Sequence, residues 1–223
     1  MKTLKNIYES ILDLPDVSDK DIVKNTKQQI KQFLRDNYKG VGKCRISNTP
    51  NSDGKFVVDC GGGLQVKNQE ITSLTNEFFE FGEVKGSFSC QQCRKLTSLN
   101  GSPRVVGGEF NCSQCYKLLS LEGGPEIVKS TFSCFGCGSL ESLKGAPKEM
   151  GGLYMTSCYS IASFEGLPDL INGYFNCSNC NLLKSLDHLP KVINGSFTAF
   201  YIGKKFTESD IRKHSQINGA VLC

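Results

Sequence analysis

The sequence predicts an α+β chain. Its body is a right-handed solenoid with one parallel β-sheet, its N-terminus a small helical cap, and its C-terminus a short helix–strand cap. Three observations predict this. A motif of 22 residues recurs six times between Val84 and about Lys205, and the clearest copy is Pro103 to Gly124, PRVVGGEFNCSQCYKLLSLEGG. Several apolar columns share the same period, as repeated stacked units require. The segments on either side break that period, and the first of them switches to helical spacing.

The columns can be followed residue by residue. The aromatic column is Phe88, Phe110, Phe132, Tyr154, Phe175 and Phe197, and the proline column is Pro103, Pro125, Pro147, Pro168 and Pro190. A second apolar column holds Val84, Val106, Val128, Met150, Ile171 and Ile193. Two more run through Leu96, Leu118, Leu140, Ile161, Leu183 and through Leu99, Leu121, Leu143, Phe164, Leu186. Every step is 22 residues except one of 21 in the fourth copy, which places a one-residue deletion between Tyr154 and Cys158.

The N-terminal cap is expected over residues 1–60. Leu4, Ile7, Ile11 and Leu14 mark one amphipathic helix, which Pro15 ends. Ser18 is an N-cap for a second helix, lined by Ile22, Val23, Ile30, Phe33 and Leu34 and ending near Gly40. Cys44–Ser47 and Lys55–Cys60 read as two strands around the Asn-Ser-Asp-Gly turn at 51–54. A cap is physically needed, because the end of a solenoid otherwise exposes its core cross-section. The solenoid is expected over 61–205. Its first coil, residues 64–83, is degenerate: Leu64 and Val66 point inward, and ITSL at 71–74 matches LTSL at 96–99. Phe197 to Phe200 keep the last full strand without cysteines. In the C-terminal cap, 206–223, Thr207-Glu-Ser-Asp210 resembles a capping box, and Ala220–Cys223 can add a strand.

Each slot has a physical reason. Phe110 and Cys112 lie two residues apart in a strand and share its inner face, while Asn111 points out. Cys115 sits in the turn leaving the strand, where a buried thiol can donate to a backbone carbonyl. Gly123 and Pro125 bend the chain back. The segment Phe110-x-Cys112-x-x-Cys115-x-x-Leu118 resembles the Leu-x-Leu-x-x-Asn/Cys-x-x-Leu core of leucine-rich repeats, with Asn68 in the Asn/Cys slot of the first coil. The short, proline-marked unit is similar to repeats of bacterial effector proteins and to repeat proteins of tailed phages of gut bacteria. That resemblance implies a leucine-rich-repeat-like fold over 64–205. The effector family's ligase domain has no counterpart here.

Twelve cysteines without a secretory signal core argue for a reducing compartment and mostly free thiols. The Cys-x-x-Cys pairs 90/93, 112/115, 134/137 and 177/180 have zinc-ribbon spacing. That spacing equals the repeat period, however, and Thr156 and Ala199 replace the first cysteine in two copies. Core thiols are therefore expected, without metal or cofactor, and a structural zinc protein is the third reading. No nucleotide, hydrolase or metalloprotease motif occurs. The two histidines, His188 and His214, fall in a turn and in the C-terminal helix, so no catalytic role is expected. A net charge of +4 spread over scattered lysines points to no nucleic-acid partner, and no apolar run can span a membrane.

The expected function is a non-enzymatic protein–protein interaction scaffold. The alternative is a phage virion or internal-head protein, because Met1–Ser10 is similar to leaders of packaged phage-head proteins. In that family a protease cuts after Ile/Leu-x-Glu, which Ile7-Tyr8-Glu9 matches. The location is then cytoplasmic or in the virion. The contact surface is expected where outward strand positions turn apolar: Phe135, Leu153, Met155, Tyr174 and Phe200. The expectation for Leu153 and Met155 depends on where the fourth copy lost its residue.

Overall fold

The computed structural model describes residues 19–223. The first predicted helix, Ser18 and the leader motif lie outside the described residues.

Eight strands stack in parallel to form the main face: β4 (Leu64–Val66), β6 (Phe88–Ser89), β8 (Phe110–Asn111), β9 (Ile127–Ser133), β10 (Glu149–Tyr154), β12 (Phe175–Asn176), β14 (Phe197–Thr198) and β16 (Val221–Leu222). The chain is thus a β-solenoid of about eight turns. Register runs along the aromatic slots, with Leu64 opposite Phe88, Phe88 opposite Phe110, Phe110 opposite Phe132, and Phe175 opposite Phe197. Each coil donates backbone N–H groups to the next, as in Phe88 to Glu109 (2.8 Å) and Cys112 to Ser133 (2.9 Å).

A second parallel ladder was not foreseen. β3 (Phe56–Cys60), β5 (Phe79–Val84), β7 (Val105–Val106) and β9 pair through the valine column, and β11 (Leu170–Ile171), β13 (Val192–Ile193) and β15 (Gln216–Ile217) form a separate three-stranded parallel sheet in the later coils. In most coils a glycine-containing linker such as Gly107-Gly108 separates the two ladders. The third coil has Lys129-Ser130 there instead, and β9 runs unbroken through both. The expected parallel sheet is present, and the ladder of the valine column joins it at β9 and β10.

The core columns are closed to solvent. Phe88, Phe110, Phe132, Phe175 and Phe197 are fully buried, as are Val84, Val106, Val128, Ile171, Ile193 and the leucines at 96, 99, 118, 121, 140 and 143. Rings stack face to face at 5.6 Å (Phe88–Phe110) and 5.3 Å (Phe110–Phe132). Each ring removes ~150–250 Å² from water, so the spine contributes heavily to coil-to-coil adhesion. A left-handed residue follows six of the eight main-face strands: Gln92, Gln114, Gly136, Ser157, Asn179 and Tyr201. A second left-handed column turns the far corner through Gly101, Gly123, Gly145, Gly166 and His188, the last at φ 62° in the glycine's place. At Gly145 the stacking is so close that a Cβ would lie 2.5 Å from the Glu122 Cα.

At the N-terminal end, α1 (Asp19–Asn37) buries Ile22, Ile30 and Leu34. Phe33 meets the Phe78 and Phe79 rings at 6.4 and 5.8 Å. β1 (Tyr38–Lys39) closes the main face by pairing antiparallel with β4. β2 (Cys44–Ile46) forms the expected hairpin with β3, and its register sets Cys44 opposite Cys60, where the two form a disulfide. The remaining ten cysteines are free thiols. Asn68 does not fill a core slot: it is exposed, and its side chain accepts the Glu70 N–H. At the other end, α2 (Glu208–His214) begins with a reciprocal capping box between Thr207 and Asp210 and buries Ile211.

Candidate interaction surface

The fourth coil decides which of the expected contact residues face solvent. β10 pairs Met150 with Val128, shifts register before Gly152, and then sets Leu153 opposite Phe132 and Phe175. The missing residue therefore lies in the Gly151-Gly152 linker, not after Tyr154. Leu153 takes the aromatic slot and Met155 the first cysteine slot, and both are fully buried. They are core residues, and the expectation that they contact a partner is withdrawn. Tyr154, expected in the core, instead sits half-buried on the outer face. The sequence did carry the signal. The second cysteine follows the aromatic slot by five residues in every other cysteine-paired coil, and five back from Cys158 is Leu153.

Phe135, Tyr174 and Phe200 do lie outward, the first half-buried and the others 43% and 42% exposed. Phe135 and Tyr154 stack at 5.9 Å with their planes 24° apart. The Tyr174 ring lies over Gly152, where a Cβ would come within 3.2 Å of it, and its hydroxyl reaches the Thr131 hydroxyl at 3.1 Å. Gly152 thus leaves the floor on which Tyr174 rests, and Phe135, Tyr154 and Tyr174 give the outer face of three successive coils an aromatic platform, in which Phe135 and Tyr154 are the stacked pair. Phe200 stands apart, paired with Tyr201 at 6.5 Å. Tyr201 is 81% exposed and was not foreseen.

The same positions are polar in neighbouring coils, and there they satisfy one another. Asn111 and Asn176 accept the N–H groups of Ser113 and Ser178 at 2.9 and 3.0 Å. Ser113 bonds Ser133 at 2.9 Å, and Ser178 accepts the Phe200 N–H at 3.1 Å. In the fourth coil Tyr154 occupies the asparagine position. The adjacent Thr156 is 8% exposed, and its hydroxyl has no hydrogen-bond partner.

Beneath this face run the thiols. Cys115, Cys137, Cys158 and Cys180 each donate to a carbonyl of the preceding coil, those of Cys90, Cys112, Cys134 and Met155, at 3.3, 3.1, 3.1 and 3.2 Å. This is the role expected for the second cysteine. The neighbouring Cys115 and Cys158 thiols, together with burial, hold Cys90 and Cys134 well above the ordinary thiol value, and burial lifts Cys177 likewise. Burial pushes Cys93 and Cys180 up to about 12. These groups stay protonated at neutral pH; a nucleophile or metal ligand would have to be a thiolate. Among the described residues no three His, Cys, Asp or Glu side chains converge as ligands.

One open cavity of about 550 Å³ lies beside the second ladder, with Lys55, Asp59, Phe79, Glu80, Arg104 and Glu126 in its wall. Two of these charges are answered locally, Asp59 by Arg45 at 2.8 Å and Glu126 by Lys148 at 3.7 Å. Among the described residues no helix is long and apolar enough to cross a membrane. In comparisons with known proteins, the chain matches no family model, no curated protein and no solved structure.

Proposed function

We propose that this chain is a non-enzymatic scaffold that binds another protein through the outer main face, with Phe135, Tyr154 and Tyr174 as the contact centre. The observation that carries the reading is the local break in the repeat. At outward positions of three successive coils the polar residues of the neighbouring coils give way to aromatics. Aromatic side chains are enriched at the centres of protein interfaces, where rigid rings lose little conformational entropy on burial.

The test is a Tyr154→Ser, Tyr174→Ser double variant. Its melting temperature should stay within a few degrees of wild type, because both side chains are partly solvated. Proteins that bind the wild-type chain saturably, measured by quantitative mass spectrometry of affinity captures, should be lost from the variant. Identical captures from the two proteins would rule out the platform as the contact centre.

A further inference from the structure

The five cations of α1, Lys20, Lys24, Lys27, Lys31 and Arg35, follow one another at steps of four, three, four and four residues. At 3.6 residues per turn these fall within an arc of about 80° over a length of about 22 Å. Lys20, Lys24, Lys31 and Arg35 are exposed, and Lys27 is half-buried with its Nζ donating to Asn48 at 3.0 Å. None of the five forms an ion pair among the described residues, whereas solenoid lysines such as Lys95, Lys144 and Lys191 pair with carboxylates at 2.7 Å. Lys67 adds a cation at the end of the helix by donating to the Arg35 carbonyl. Residues 19–43 carry seven Lys and Arg against three Asp, an excess equal to the +4 of the whole chain. The remainder of the sequence is electrically balanced.

We propose that this stripe docks α1 along the phosphate backbone of a nucleic-acid duplex. The duplex presents one negative charge per about 1.7 Å, and a linear row of lysines that displaces its counterions gains affinity from their release. The apolar side of α1 is committed to Phe78 and Phe79, so it is not free to sink into a lipid surface. The same packing keeps the helix from entering a groove with its whole circumference. Contact is therefore to phosphates and is independent of base sequence. The expectation of no nucleic-acid partner rested on lysines scattered along the sequence, and the helix gathers five of them. This site is separate from the aromatic platform, and neither depends on the other.

The test uses the full chain and a fluorescein-labelled DNA duplex of mixed sequence, followed by anisotropy. With five phosphate contacts, affinity should fall about 500-fold between 50 and 200 mM KCl. In a Lys24→Gln, Lys31→Gln, Arg35→Gln variant the fall should shrink to about tenfold, with affinity at 50 mM at least about a hundredfold weaker. Helix content by circular dichroism should be unchanged. A Lys144→Gln, Lys148→Gln, Lys191→Gln variant loses the same net charge from the solenoid and should retain the wild-type salt dependence. Absence of saturable binding at 50 mM KCl overturns the proposal. So does an equal loss in both variants, or binding to phosphatidylserine vesicles without binding to the duplex.

Discussion

Exchanging Leu153 and Phe164 tests the register of the fourth coil. Both side chains are fully buried. Leu153 stands opposite Phe175 in the ladder, and Phe164 meets the Phe175 ring edge-on at 5.6 Å. The coil thus carries its aromatic in a leucine slot and a leucine in the aromatic slot, so the two volumes border the same neighbour. Leu153→Phe alone overpacks the column and should cost about 1–3 kcal/mol. Phe164→Leu removes about three carbons at ~0.8 kcal/mol each, plus an aromatic edge contact, and should cost about 3 kcal/mol. Independent sites would sum to about 5 kcal/mol, whereas a shared volume lets the double variant recover about 2 kcal/mol as coupling. Urea unfolding followed by circular dichroism measures the cycle, with the slope compared between variants to detect loss of cooperativity along the array. Additivity within about 0.5 kcal/mol would refute the shared volume. Tyr154→Ser is the companion measurement: it should cost less than about 1 kcal/mol, and a loss above about 3 kcal/mol would return Tyr154 to the core.

Three further outcomes are expected. Opening the Cys44–Cys60 disulfide, which closes a loop of sequence separation 16, should cost about 3 kcal/mol on the chain-entropy model, so reductant and Cys44→Ser, Cys60→Ser should lower the urea midpoint alike; an unchanged midpoint refutes this. Cys115→Ala should cost about 1–2 kcal/mol by removing the donor to the Cys90 carbonyl at 3.3 Å, and Cys115→Ser should cost less, so a serine variant weaker than alanine would deny the hydrogen bond its role. Burial alone would raise the Asp59 carboxyl, but the Arg45 hydrogen bond, the Glu83 N–H and the charges of Arg45 and Arg104 outweigh it and hold the group below 3.8. A carboxyl depressed by folding contributes stability above its unfolded value and loses it as pH falls through the folded one, so the acid limb of the melting curve below about pH 4 should flatten in Asp59→Asn.

What the sequence disclosed follows from how stacked coils constrain side chains. A residue slot repeated every 22 positions must meet its own kind above and below, so the phenylalanine, valine and leucine columns were readable without coordinates. Where the period slipped, two cues conflicted. The taste of the slot for aromatics favoured Tyr154, and the five-residue spacing to Cys158 favoured Leu153. Spacing won, because a slip by one residue in a strand reverses every side chain. The second ladder was hidden because strands as short as Val105–Val106 show no alternation to read. The Cys44–Cys60 bond became visible only with the hairpin register that sets Ile46 opposite Val58.

A repeat also supplies its own reference state, and this gives the outer face its meaning. Asn111 and Asn176 show what the position occupied by Tyr154 does for stability: an asparagine there caps the turn two residues on. The fourth coil forgoes that cap, leaves the buried Thr156 hydroxyl unpaired, and half-exposes the Tyr154 ring where neighbouring coils carry Ser133 and Asn176. An unpaired buried hydroxyl costs about 1–3 kcal/mol. The Cys158 thiol still reaches its carbonyl and the Leu153 slot is still closed, so the interior of the coil is intact. The departure is confined to the outer surface of β10 and its two neighbours, which is where the proposed binding partner would cover the rings.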